Sequence, residues 1–325
     1  MASEFELIAK YFTRPAVRAV LGVGDDCALI DVSEGHELAL STDMLVGGTH
    51  FFADTDAQRL GHKTLAVNLS DLAAMGATPR AALLSLALPA ADESWVAAFA
   101  RGFFALADAH GVELIGGDTT RSPAGGLALN VTILGEVPKG AAVRRSGAQV
   151  GDDVWVSGTL GDAALGLAAL KGTVRLDSGQ REYCVARLEM PTPRVALGLQ
   201  LRGVASAMLD LSDGLAGDLA HLARASRLGA RVDVSALPLS AALRAQAPEL
   251  ALRCALSGGD DYELCFTAPV LRRAAVEAAG RAAQVGVTRI GTMVPGGAEP
   301  VAYMDGAGRE IALQAGGYDH FGAGA

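Results

Sequence analysis

Aspartates recur beside glycine or serine at the ends of apolar runs throughout this chain, and that recurrence constrains the fold more than any other feature. A carboxylate set against an apolar segment is costly to bury without a cation or a hydrogen-bond partner. The acidic groups therefore belong at the ends of strands and helices, where the backbone leaves the core. A chain punctuated in this way reads as short strands alternating with amphipathic helices, the mixed α/β pattern.

Apolar periodicity predicts helices over residues 4–12, 58–74 and 94–110, with strands over 37–41, 82–88, 112–115 and 128–134 between them. Gly135-Glu136-Val137-Pro138-Lys139-Gly140, followed by the polar stretch Arg144-Arg145-Ser146-Gly147-Ala148, is the strongest punctuation in the chain. It divides an N-terminal domain, 1–140, from a C-terminal domain, 141–325. The second domain repeats the α/β theme, with strands at 154–157, 205–209, 231–234 and 263–267 and helices at 162–170, 194–201, 215–226 and 269–279.

The acidic clusters offer ligands for a hard cation. Asp25 and Asp26 project from the glycine-bearing segment Gly22-Val23-Gly24, a pattern that also suits a surface turn. Ser41-Thr42-Asp43 sets two hydroxyls and a carboxylate in succession at a strand end, which suits Mg²⁺ as well as a cap. Asp71 lies near the end of an apolar helix in Asn68-Leu69-Ser70-Asp71, where burial asks for a partner. Gly116-Gly117-Asp118-Thr119-Thr120-Arg121 combines glycines that let phosphate approach the backbone with a carboxylate and a guanidinium. An ordinary loop fits that spacing equally well. Asp210-Leu211-Ser212-Asp213-Gly214 places two carboxylates and a hydroxyl at a strand-to-helix junction, and capping explains only one of them. Ser257-Gly258-Gly259-Asp260-Asp261 repeats the theme before a strand.

Composition narrows the functional classes. Lys+Arg number 27 against 36 Asp+Glu, a formal charge of −9, which excludes a broad nucleic-acid surface. The only lysines are Lys10, Lys63, Lys139 and Lys171, so phosphorylated ligands would need divalent cations for neutralisation. The four cysteines form no C-x-x-C pair, in keeping with a reducing cytoplasm. No run is long enough to span a membrane, and the acidic start, Met1-Ala2-Ser3-Glu4, is not that of a signal peptide. P-loop, dinucleotide-binding, G-x-S-x-G and H-E-x-x-H patterns are missing. The chemistry rests on carboxylates and metal.

Taken in order, the clusters resemble the thiamine-monophosphate kinases of the aminoimidazole ribonucleotide synthetase superfamily. Gly24 to Ala28, Ser41-Thr42-Asp43, Asn68 to Gly76, Gly116 to Thr120, Arg145 to Ala148, Asp210 to Leu215, Ser257 to Leu264 and Gly317-Tyr318-Asp319-His320-Phe321 carry the resemblance. It implies ATP-dependent phosphorylation of thiamine monophosphate to thiamine diphosphate by direct in-line transfer. It also implies a two-domain α/β fold like that of the synthetase, with the N-terminal strands pairing across a homodimer into a barrel. Metal positions carry over to Asp26, Ser41, Thr42, Asp43, Asp71, Asp118, Asp210 and Asp213, a set for several Mg²⁺ ions. Nucleotide contacts carry over to Gly117, Asp118, Arg145 and Ser212. Contacts to thiamine monophosphate carry over to His50, Asp260 and Tyr318, with Asp260 keeping the charge where many relatives have glutamate.

Overall fold

The structure, a computed structural model, describes residues 3–122 and 126–312. The chain separates into two compact units, Met1–Leu72 with Ala77–Gly140 and Ala73–Gly76 with Ala141–Ala325.

The first unit opens with α1 (Glu4–Leu7), started by a reciprocal cap in which Ser3 Oγ accepts the Glu6 N–H and the Glu6 carboxylate accepts the Ser3 N–H. Its last turn widens into a π-helical segment, Ile8–Phe12. There follow β1 (His36–Val46), α2 (Ala57–Ala74), β2 (Thr78–Leu88), α3 (Glu93–His110), β3 (Glu113–Arg121) and β4 (Ala128–Pro138). The strands form one sheet in the order β1-β4-β2-β3. Only β2 and β3 run parallel, which requires the crossover that α3 supplies. One sheet face buries Leu84, Leu86, Leu129, Val131 and Ile133. α2 and α3 meet backbone to backbone, since a Cβ at Gly102 would lie 1.8 Å from the Gln58 carbonyl oxygen and one at Gly61 2.0 Å from that of Phe99. The opposite sheet face leaves Leu40, Met44 and Val46 of the edge strand β1 exposed.

The second unit contains β5 (Asp153–Ser157), α4 (Asp162–Leu170), α5 (Ser178–Glu189), α6 (Val195–Leu201), β6 (Ala207–Asp210), α7 (Leu215–Ser226), β7 (Leu228–Asp233), α8 (Ala241–Arg244), α9 (Pro248–Ser257), β8 (Leu264–Ala268), α10 (Arg273–Ala282), β9 (Val287–Pro295), β10 (Val301–Met304) and β11 (Glu310–Ile311). Its seven strands run in the order β11-β10-β7-β9-β5-β8-β6. Leu215, Leu219 and Leu222 of α7 share a core with Val154, Leu209, Val232 and Ile290 of the sheet.

The architecture is the mixed α/β type that the sequence predicts, and the first sheet is open within one chain. Several elements lie beyond the predicted set. α5 shows only Cys184, Val185 and Leu188 to the interior, too few for a clear apolar stripe. In β9 the pairing with β5 slips between Arg289 and Gly291, so Ile290 is an extra residue and the buried side chains Ile290 and Met293 fall three apart. That bulge hides the two-residue period.

Candidate functional site

In the first unit, strand alternation sorts the candidate ligands onto two faces. Ser41 and Asp43 share the face that α2 covers, and the Ser41 hydroxyl donates a short hydrogen bond to Asp71 Oδ2 from the last turn of α2. Asp71 is half-buried between the fully buried Ser70 and Leu72. One turn earlier, Asn68 donates its amide to the Thr64 carbonyl at 3.1 Å, while its buried Oδ1 has no hydrogen-bond partner. Hydroxyl, carboxylate and amide oxygens of this kind fit Mg²⁺, which takes oxygen ligands.

Thr42 corrects the reading of three successive ligands. A strand inverts its side chains at each residue, so Thr42 points to the opposite face, where its Oγ1 bonds the Val131 carbonyl at 3.1 Å and Thr132 Oγ1 at 3.0 Å. The motif also lies inside β1 rather than at a strand end, because the pairing with β4 continues to Val46.

The Gly116–Arg121 motif needs a similar correction, since it forms the C-terminal part of β3 and not a loop after it. Pairing with β2 slips between Ala82 and Leu83, and this places Asp118 opposite Ser85. Ser85 in turn pairs with Asn130, which pairs with Met44, so Asp118 faces the exposed side of the sheet. Gly117 has φ +148°, and a Cβ there would stand 1.8 Å from the Leu84 carbonyl oxygen. Only glycine allows this approach.

Asp26 is exposed on a loop closed by the bridge between Leu21 and Leu29, and its N–H donates to Asp25 Oδ1 at 2.8 Å. His50 is half-buried, and its Nδ1 accepts the Val46 N–H at 3.0 Å. A neutral ring held in this way carries its proton on Nε2, which makes Nε2 a donor.

In the second unit two irregular segments are laced together. β6 ends at Asp210 and pairs with β8 at Leu264. Beyond that pair, the Asp260 N–H donates to the Ser212 carbonyl and the Tyr262 N–H to the Leu211 carbonyl, each at 2.8 Å. Asp210, Ser212, Asp213 and Asp260 thus sit on adjoining backbone. Asp260 and Tyr262 adopt φ +67° and +49°, a left-handed conformation that costs a non-glycine residue about 1 kcal/mol or more. Arg145, exposed, adjoins the same edge, since the neighbouring Arg144 carbonyl accepts the Met208 N–H at 2.9 Å.

Two buried carboxylates stand beside this segment: Asp218, which lies outside every acidic motif, and Asp261, which the Ser257–Asp261 motif includes without assigning it a role. Asp218, in the first turn of α7, accepts the Asp213 N–H at 3.1 Å. Burial, helped by the Asp213 charge, pushes its carboxyl up to about 7, while the Ser212 and Asp213 amides and Arg145 pull the other way. The five-residue step from Asp213 onto an apolar helix was its only signal. Asp261 is fully enclosed and accepts the Gly161 N–H at 2.7 Å, and burial holds its carboxyl well above the usual range. Tyr318 lies outside the described residues.

Among the described residues, no three His, Cys, Asp or Glu side chains form a ready-made cation cage. Mg²⁺ ordinarily relies on one or two carboxylates together with substrate phosphates and water. The donor pairs seen here suit that mode of binding.

Residues 24–137 match the family described as AIR synthase related protein, N-terminal domain, and residues 149–303 match its C-terminal domain. The chain is 47% identical over 323 residues to a thiamine-monophosphate kinase of Escherichia coli O157:H7, covering 98% of each. A crystal structure of thiamine-monophosphate kinase from Stenotrophomonas maltophilia K279a is similar at 48% identity and a TM-score of 0.83, over 88% of this chain and 91% of that one. A further structure, described as AaThiL complexed with AMPPCP and TMP, is similar at 32% identity and a TM-score of 0.77, over 90% and 89%.

Proposed function

This chain belongs to the thiamine-monophosphate kinase family of AIR synthase related proteins, and from that premise we propose that it transfers the γ-phosphoryl group of ATP to thiamine monophosphate, giving thiamine diphosphate and ADP. One observation carries the reading: a relative that aligns with nine-tenths of this chain holds an ATP analogue and thiamine monophosphate together.

The transfer is direct and in-line. A phosphate oxygen of thiamine monophosphate forms the new bond to the γ-phosphorus as the bond to the β–γ bridging oxygen breaks. A phosphate monoester near neutral pH is already largely anionic, so no strong base is needed. Positioning and charge neutralisation supply the catalysis. Asp26, Ser41, Asp43, Asp71, Asp118, Asp210 and Asp213 would hold several Mg²⁺ ions, while the Thr42 hydroxyl is turned to the opposite face of β1. Bound Mg²⁺ would offset the repulsion between the two sets of phosphates. Gly117, Asp118, Arg145 and Ser212 serve the nucleotide. His50 offers its Nε2–H to the acceptor phosphate, with Asp260 and Tyr318 completing that side.

The active form is a homodimer working in a reducing cytoplasm, where the exposed Cys27 stays a thiol. Two features of the first sheet support the dimer. Its edge strand β1 exposes Leu40, Met44 and Val46. In addition, β4 and β2 separate Asp43 on β1 from Asp118 on β3, about 14 Å at about 4.8 Å per strand, too far to share one ion ligated at about 2.1 Å. If both residues serve one ion, they come from different copies of the chain.

The test uses γ-labelled ATP with Mg²⁺ and thiamine monophosphate. Label should pass into thiamine diphosphate with none retained on the protein. A labelled protein that gives up its phosphate to the acceptor would defeat direct transfer.

A further inference from the structure

Left-handed backbone at non-glycine residues persists only where the surroundings over-determine it. Asp260 and Tyr262 both show it within the irregular stretch between α9 and β8. The main chain constrains one side of this stretch through the bonds to Ser212 and Leu211, and the Leu211 N–H donates back to the Glu263 carbonyl at 2.8 Å.

Side chains constrain the other side through Glu263, whose carboxylate is entirely buried. Arg187 of α5 donates Nη2 both to Glu263 Oε1 at 2.8 Å and to the Asp261 carbonyl at 3.2 Å. Arg194, just before α6, grips the same carboxylate with Nε at 2.6 Å from Oε2 and Nη2 on Oε1. The Ser157 hydroxyl donates to Oε2 at 2.5 Å. A Cβ at Gly158 would stand 2.2 Å from Oε1, so the chain keeps that position bare for the carboxylate.

One arginine would neutralise Glu263. Two planar guanidinium groups carried by separate segments instead fix the carboxylate in position and orientation. Buried ion pairs add little net stability relative to apolar packing, so their contribution here is geometric. We infer that Arg187, Glu263 and Arg194 are positioning residues that lock the segment from Asp260 to Glu263 and thereby aim Asp260 at thiamine monophosphate. The aim of Asp260 rests on the reading of that residue given under Proposed function; the lock does not.

The test is Arg194→Lys, which keeps the charge and loses the planar fork. The lock is read by hydrogen exchange at the Asp260 and Tyr262 amides, expected to quicken about tenfold or more. The aim is read by kinetics, with KM for thiamine monophosphate expected to rise about tenfold while KM for ATP stays within about twofold. In an Asp260→Asn background, Arg194→Lys should add nothing further to that KM. Folded Arg194→Lys protein with unchanged exchange at both amides would overturn the lock. Equal rises in both KM values would overturn the aim. If Asp260→Asn alone leaves KM for thiamine monophosphate unchanged, the substrate reading of Asp260 fails and the exchange result still decides the lock. Should Arg194→Lys not fold, Ser157→Ala, which removes one donor from Glu263, reads the same quantities with the same outcomes.

Discussion

The two units hold their carboxylates by different means. In the first, Ser41, Asp43 and Asp118 stand on strands and Asp71 on a helix, so regular hydrogen bonding positions each donor. In the second, Asp213 and Asp260 stand on irregular backbone, and Asp260 and Tyr262 are left-handed. There the position is kept by buried side chains instead: Asp218 behind Asp213, and Glu263 with its two arginines behind Asp260. Regular elements give rigidity at the cost of distributing ligands over two faces and two edges of a sheet. An irregular segment gathers its ligands on adjoining backbone, and needs a buried polar cluster to hold them there.

Removing a strand or helix donor should act on chemistry and leave the fold alone. Asp71→Asn and Asp118→Asn are each expected to lower kcat about a hundredfold or more at saturating Mg²⁺, with far-ultraviolet circular dichroism unchanged. Near-normal turnover in both would remove the first unit from the metal site.

A sharper division comes from mixing Asp43→Asn and Asp118→Asn proteins after dissociation and reassembly. If each site joins Asp43 of one chain to Asp118 of the other, every mixed dimer has one intact site. Random pairing then restores about a quarter of the parent activity. No recovery above either variant alone would place both residues in a site made by a single chain.

Within β1 the faces themselves can be compared. Ser41→Ala loses the donor to Asp71 and is expected to reduce kcat/KM about tenfold. Thr42→Val, whose hydroxyl faces Val131 and Thr132, should change it less than about threefold. Equal effects would mean that alternation does not decide which side chain serves the site.

The smallest expected effect concerns Asp218 in metal-free protein. Its carboxyl is raised from 3.8 to about 7 by burial, so the folded state holds this proton more tightly than the unfolded state. Stability from this group is present below about pH 4 and is lost as pH rises toward 7. Asp218→Asn should therefore flatten the decline of the urea midpoint between pH 5 and pH 8. An unchanged slope would show that Asp218 titrates normally.

These contrasts also mark what the sequence made legible. α2 and α7 were clear because long apolar periodicity and core burial coincide in them. Each acidic motif was visible as a motif, yet β1 and β3 run past their apolar portions into Ser41–Asp43 and Gly116–Arg121, because backbone pairing with β4 and β2 continues whatever the side chains are. The Ser41–Asp71 contact joins residues thirty positions apart, and no local pattern encodes such a meeting. Glu263 stands in the Ser257–Leu264 motif, but its burial and its two arginines were hidden for a related reason. The burial of a charged group depends on partners from α5 and the start of α6, and those partners carry no motif.

The central claim is tested most directly by incubating the purified protein with Mg²⁺-ATP and a panel of phosphomonoesters together with unphosphorylated thiamine, and identifying by mass which acceptor gains a phosphoryl group. Stoichiometric conversion of thiamine monophosphate to thiamine diphosphate and ADP, dependent on Mg²⁺ and far exceeding any other acceptor, is the expected result. ATP binding with no thiamine diphosphate formed, or preferential phosphorylation of another acceptor, would contradict the account.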